Sequence, residues 1–292
     1  MMMDLSRKLI LIKIGGAAIT NKSEFETLQL ESITRIGTLL KKLIDANMYD
    51  LILVHGAGSF GHFQAKKYQI NNGKGFPNLP DPVLEQNYRM GLASTRQSVS
   101  KLSNVILDSF IQFGIPVITV STNCQSSTES MLDQVDVALR SGYIPVVHGD
   151  AVLTDVTGRG TILSGDTITI DLVEKYQLRV SHVIFFTGIS SVYGVQKPSS
   201  IPTYLSTIHI DEDGGLHDTD IVPLPSAQGM EKSVDTTGGI VGKLAVAGKI
   251  VSRYHKPVFI LGISKEETDS VYLDVLINQI PKIGTCLLPI NQ

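Results

Sequence analysis

The sequence is poor in cysteine: Cys124 and Cys286 are the only two in 292 residues. They form no Cys-x-x-Cys pair, which excludes a disulfide framework, and a reducing, cytoplasmic setting is the expectation. The chain also lacks an excess of basic charge. Its 25 Lys and Arg against 28 Asp and Glu leave a net charge of −3, which argues against a nucleic-acid partner. No run of about 20 apolar residues occurs, so no membrane span is expected. The apolar stretch at 9–12, followed at once by Lys13, is too short for a secretory signal. There is no internal repeat and no low-complexity tract. With 42% hydrophobic and 18% charged residues, the chain is neither disordered nor a coiled coil.

What is present is an alternation. Apolar runs of strand length at 9–14, 50–54, 115–120, 143–148, 182–187 and 258–262 are separated by helix-period segments at 28–48, 83–113, 131–141, 166–176, 240–254 and 265–278. The 83–113 helix is expected to break near Gly91. A small ribbon is read at 151–154 and 161–163, and further strands at 204–210 and 286–289. Strands alternating with helices mean crossover connections and a mostly parallel sheet covered on both faces. Residues 188–239 read as loop-rich insertion material.

Glycine clusters fall at the carboxyl ends of the strands, where open sheets of this kind bind ligands. Lys13-Ile14-Gly15-Gly16-Ala17 follows the first strand. Its glycines let backbone N–H groups approach a phosphate, although the loop by itself fits equally a turn with a lysine reaching the surface. His55-Gly56-Ala57-Gly58-Ser59-Phe60-Gly61-His62 follows the second strand. It matches G-x-G-x-x-G formally, but the acidic residue that a dinucleotide site needs about 20 positions later is missing. His62 is a donor for a bound oxyanion or a capping histidine, and His55 orients the loop. Ser164-Gly165-Asp166-Thr167 precedes a helix; it is either a simple N-cap or places Asp166 between lysines. Asp150, in His148-Gly149-Asp150, is read as a second carboxylate on the same rim. Asp235-Thr236-Thr237-Gly238-Gly239 leads into a helix that carries Lys243. No G-x-x-x-x-G-K-[ST] occurs, so the ordinary P-loop reading fails. Several anion loops, lysines and a carboxylate on one sheet edge are what phosphoryl transfer requires.

These motifs, with Thr20-Asn21-Lys22 after the first loop and the histidine closing the second, resemble the amino acid kinase superfamily. Within it they are similar to the isopentenyl phosphate kinase branch. The resemblance runs from Lys13 to about Thr285. It implies a three-layer αβα sandwich with an N-terminal lobe (1–180) for the phosphate acceptor and a C-terminal lobe (181–292) for the nucleotide. It implies transfer from ATP, with Mg²⁺, to isopentenyl phosphate, and a homodimer. Residue by residue, it implies that Lys13, Gly15, Gly16, Ala17, Gly58, Gly239 and Lys243 meet the nucleotide phosphates. Ala57, His62 and Gly165 meet the acceptor, Lys22 stabilises the transition state, and Asp166 organises the lysines. The other readings are a related small-molecule kinase of the same fold, such as a fosfomycin kinase-like or amino-acid kinase enzyme, and a non-catalytic nucleotide or metabolite sensor.

Two departures stand out. The middle glycine of the usual H-G-G-G is Ala57, and Gly188 and Ser191 stand where the superfamily commonly has aspartates near the nucleotide. A prenyl tail needs an apolar slot. Phe76, Leu79, Val83, Leu84 and Tyr88 lie in the right stretch, though each also reads as a packing residue.

Overall fold

The run LILIKI carries apolar side chains on both faces of a strand, so it suits the middle of a covered sheet. All six residues are buried. The computed structural model describes residues 7–70, 82–122, 127–154, 160–189, 192–196, 203–217, 219–221, 239–263 and 266–290. In chain order it contains β1 (Leu9–Ile14), α1 (Gly16–Ile19), α2 (Leu30–Asp45), β2 (Asp50–His55), α3 (Gly58–Lys67), α4 (Pro82–Gln112), β3 (Val117–Thr119), α5 (Glu129–Arg140) and β4 (Ile144–His148). A hairpin of β5 (Asp150–Leu153) and β6 (Gly160–Leu163) follows, then α6 (Gly165–Lys175), β7 (Val180–Thr187), β8 (Tyr193–Gln196), β9 (Thr203–Tyr204), β10 (Thr207–Ile210) and β11 (Thr219–Ile221). The chain continues with α7 (Gly239–Tyr254), β12 (Val258–Gly262), α8 (Asp269–Asn278) and β13 (Thr285–Pro289).

The main sheet has eight strands in the order β10-β13-β12-β7-β1-β2-β4-β3. The strands from β12 through β3 are parallel, and β13 turns antiparallel to β12. Because side chains alternate across a strand, β1 sends Leu9 and Leu11 to one face and Ile10, Ile12 and Ile14 to the other. The first face packs against α5, α6 and α7 through Met131, Val135, Ile168, Leu172, Ala247 and Ile250. The second packs against α2, α4 and α8 through Ile36, Leu40, Leu102, Ile106, Tyr272 and Val275. The result is the three-layer αβα arrangement with a mostly parallel sheet that the sequence led us to expect.

Three details differ from the sequence reading. Helix α4 runs unbroken past Gly91, because that glycine faces the Tyr68 side chain, which a Cβ would overlap. The strand expected over 204–210 is two: β9 joins the small sheet β11-β8-β9, and β10 ends the main sheet. Part of the segment read as insertion is therefore a three-stranded sheet of short strands. Residues 235–238, Phe76, Leu79, Ser191 and Cys124 lie outside the described residues.

Candidate active site

Lys13 is on the α6 side of β1 and only 6% exposed. A buried ammonium is costly without a partner, and it has two. Its Nζ pairs with the Asp166 carboxylate in the first turn of α6 and lies 5.3 Å from the centroid of the Phe185 ring, within cation–π range. Ser164 caps α6, its hydroxyl accepting the Thr167 N–H at 3.1 Å. The capping reading of this loop holds, with Ser164 as the cap, and Asp166, two residues on in the same first turn, pairs with one lysine, Lys13.

Strands β1 and β2 are parallel neighbours, so their glycine loops leave the sheet side by side. The two loops touch backbone to backbone. A Cβ on Gly16 would overlap the N and Cα of Gly58, and one on Gly56 would stand 2.8 Å from the Gly16 nitrogen. Gly58 has φ +51°, and a Cβ there would also strike the Thr20 side chain, so only glycine fits. Thr20 fastens the pair. Its hydroxyl donates to Gly16 O at 2.8 Å and accepts the Ser59 N–H at 3.0 Å. Ala57 is accommodated because its methyl faces Gly61, where a Cβ would be 2.5 Å away. His62 is half-buried one turn further along α3.

The other loops close on this pair. Gly149 N–H donates to His55 O at 3.2 Å. A Cβ on Gly165 would lie 3.5 Å from that same oxygen and 3.8 Å from Lys13 Cε. From the other half of the chain, Gly239 opens α7 and Lys243 sits half-buried a turn later; its Cε lies 3.9 Å from where a Gly15 Cβ would be. Lys13, Gly15, Gly16, Gly58, Gly165, Asp166 and Lys243 thus converge on one edge, with Ala17 in the turn of α1 and Ala57 and His62 at the start of α3. Lys22 is exposed, on a turn joined to α3 through the Thr20 hydroxyl. Of the apolar residues near His62, Val83 and Leu84 are exposed, whereas Tyr88 is buried and its hydroxyl bonds both the O (2.7 Å) and the N–H (3.0 Å) of Gly160.

Asp150 departs from the sequence reading. It does not join the phosphate rim. It is 2% exposed and paired with Arg96 of α4 at 2.8 Å, and burial pushes its carboxyl up from the ordinary range. Beside it, His148 stacks on His55 with ring centroids 5.1 Å apart. His55 is fully buried, and desolvation, reinforced by His148, lowers its pKa to about 3. It is a neutral underlay to the second loop, as an orienting residue should be. Sequence reasoning missed Thr20, Ser59 and Arg96. Thr20 and Ser59 left a signal, the one as the first residue of Thr20-Asn21-Lys22 and the other inside the second glycine loop.

This assembly brings Lys13, Lys243 and packed glycine loops to one edge of the sheet, and the model of the amino acid kinase family matches residues 8–262. The chain belongs to the amino acid kinase family. Among members of that family, it is 31% identical to an isopentenyl phosphate kinase of Arabidopsis thaliana, over 82% of this chain and 83% of that protein. It is likewise 31% identical to one from Methanothermobacter thermautotrophicus, over 81% and 84%. An X-ray structure of isopentenyl phosphate kinase shares the fold with a TM-score of 0.69 at 22% identity, over 96% of this chain and 99% of that one.

Proposed function

We propose that this chain transfers the γ-phosphoryl group of ATP to the phosphate of isopentenyl phosphate, giving ADP and isopentenyl diphosphate for isoprenoid synthesis. What carries the reading is the convergence of Lys13, Lys243 and Asp166 on two interlocked glycine loops, in a chain 31% identical to isopentenyl phosphate kinases over four-fifths of its length. A phosphate oxygen of the acceptor attacks the γ-phosphorus in line, and the bond to the β-phosphate oxygen breaks. The acceptor is already ionised near neutral pH, so no general base is needed. The task left to the protein is neutralising charge and fixing the line of attack.

Lys13, Gly15, Gly16, Ala17, Gly58, Gly239 and Lys243 hold the nucleotide phosphates. His62, Ala57 and Gly165 hold the acceptor phosphate, and His62 donates to it. Lys22 neutralises the group in flight, and Asp166 keeps Lys13 aimed. The lobe of residues 1–180 serves the acceptor, and the lobe of residues 181–292 serves the nucleotide. The described residues contain no cluster of three or more His, Cys, Asp or Glu that could cage a metal, and Asp166 is already engaged by Lys13. This donor set fits a Mg²⁺ carried by the nucleotide's own phosphates and water; bound there, the ion offsets charge on the transferred group. No helix among the described residues is long and apolar enough to cross a membrane. The resemblance supports a homodimer, and the scarcity of cysteine supports a cytoplasmic location.

ADP release with Mg-ATP tests the assignment, with isopentenyl phosphate run beside fosfomycin, N-acetylglutamate and UMP. Turnover on isopentenyl phosphate well above the others is expected. Turnover on another acceptor instead would move the chain to a different branch, and nucleotide binding without turnover would make it a sensor.

A further inference from the structure

The turn that carries Lys22 is held from both ends. At its root, Thr20 and Leu28 form an antiparallel bridge, and Asn21 N–H donates to Thr27 O at 2.9 Å. Thr27 N–H reaches the Ser59 hydroxyl of α3 at 3.3 Å. Within the turn, the Asn21 side-chain oxygen accepts the N–H and the hydroxyl of Ser23 at 3.1 and 2.8 Å. At its far end, Glu26 reaches across to α4. Its carboxylate accepts the buried Ser98 hydroxyl at 2.7 Å and meets Lys101 Nζ at 3.1 and 3.2 Å. Ser98 and Lys101 are three residues apart and so share one face of the helix. Between these anchors Phe25 sets its ring edge-on to Phe63, centroids 5.9 Å apart, and Phe63 is the neighbour of His62.

Glu26 makes this contact from a φ of +52°, a conformation that a residue with a Cβ adopts at a cost. Such strain persists only where the surroundings over-determine it, and it gathers where placement matters. A loop that needed only to be closed would carry glycine at this point. Here the side chain has a use, because it ties the turn to Ser98 and Lys101 of α4.

We propose that Glu26 is a positioning residue: its bonds to Ser98 and Lys101 fix the turn 21–27 so that Lys22 is presented to the phosphoryl group in transfer, while Phe25 against Phe63 keeps that turn in register with His62. This rests on the reading of Lys22 given above. Since Lys22 acts on charge that develops in transfer, its misplacement lowers kcat and leaves substrate affinity largely intact.

The test compares Glu26→Gly, Glu26→Gln and the exchange Glu26→Lys with Lys101→Glu against the wild type. Steady-state kinetics on Mg-ATP and isopentenyl phosphate is paired with hydrogen exchange of residues 20–29 and tryptic cleavage after Lys22, both in the free protein. Glu26→Gly relieves the backbone and removes the anchor together; Glu26→Gln and the charge exchange, which keep the Cβ, separate the two. It should exchange at the Asn21 and Thr27 amides roughly tenfold faster or more, be cut sooner after Lys22, and lose kcat by roughly 10- to 100-fold, with both KM values within about twofold. Glu26→Gln, which keeps the Ser98 bond, should fall between, and the charge exchange should recover part of the loss. Wild-type exchange in Glu26→Gly overturns the proposal. So does faster exchange with unchanged kcat, or a loss in which the α4 amides, both KM values and the melting temperature deteriorate together. If the wild type gives no diphosphate from isopentenyl phosphate, the function assignment fails, and exchange and cleavage alone decide whether Glu26 holds the turn.

Discussion

Replacing Gly16 with alanine should damage catalysis far more than stability. The added methyl would overlap the backbone N and Cα of Gly58, and neither atom can swing aside as a side chain can. The two loops must part by about 1 Å to reach ordinary van der Waals separation. Overpacking of this kind costs about 1–3 kcal/mol, which in a chain of this size lowers the melting temperature by only a few degrees. The catalytic cost is set by geometry instead. On the proposed function the first loop holds the nucleotide phosphates, and the second leads into the helix with His62, so parting them shifts donor against acceptor. A misplacement of about 1 Å is enough to lose roughly 100-fold in rate. Thermal melting and initial rates on both substrates, measured on one preparation, give the two numbers. Gly16→Ala with wild-type kcat/KM would refute the claim that the two loops must touch to align the reaction.

Asp166→Asn should cut turnover by roughly 10²–10³-fold, by analogy with loss of a preorganised charge. It should destabilise by about 1–3 kcal/mol, because Lys13, only 6% exposed, loses its opposing charge but keeps an amide oxygen to donate to; rates and urea midpoints check both. Gly188→Asp should raise the KM for ATP, since its Cβ would stand 2.7 Å from Ala17 O beside the first loop. Acid should unfold the protein early. His55 and His182 are neutral when folded, with pKa values held near 3 and 4 by burial, but take up protons below about 6.5 when unfolded. Their contribution is complete above that pH and falls, as pH drops toward those values, by up to about 1.4 kcal/mol per unit for each. Asp150, with its carboxyl pushed up by burial, offsets part of this. A urea midpoint that does not drop between pH 6.5 and 5 would contradict it.

The sheet was legible because its central strands announce themselves. β1, β2, β4 and β12 are apolar runs of five or six residues covered on both faces, too short for a buried helix and bounded by glycine loops or turns. The glycine loops were legible because they sit directly after those runs. What escaped depends on contacts between segments far apart in the chain. Asp150 looked like a rim carboxylate until Arg96, from a helix two strands earlier, drew it inside. Gly91 looked like a break because Tyr68, which requires it, belongs to another helix. Thr20, Ser59 and Glu26 are ordinary polar residues in sequence, and only the fold shows that they bind the Lys22 turn to α3 and α4. The strands β8 and β11 were missed, and β9 was run together with β10, because two to four residues carry too little periodicity to read.

The central claim is that this site joins two phosphates, and ³¹P NMR of the reaction tests it most directly. With Mg-ATP and isopentenyl phosphate, the wild type should convert the acceptor's monophosphate resonance into a diphosphate pair as ADP appears, and His62→Ala should slow that conversion by roughly 10²–10³-fold while keeping its fold. An unchanged monophosphate resonance with the wild-type protein, or full conversion by the His62→Ala variant, would contradict the account.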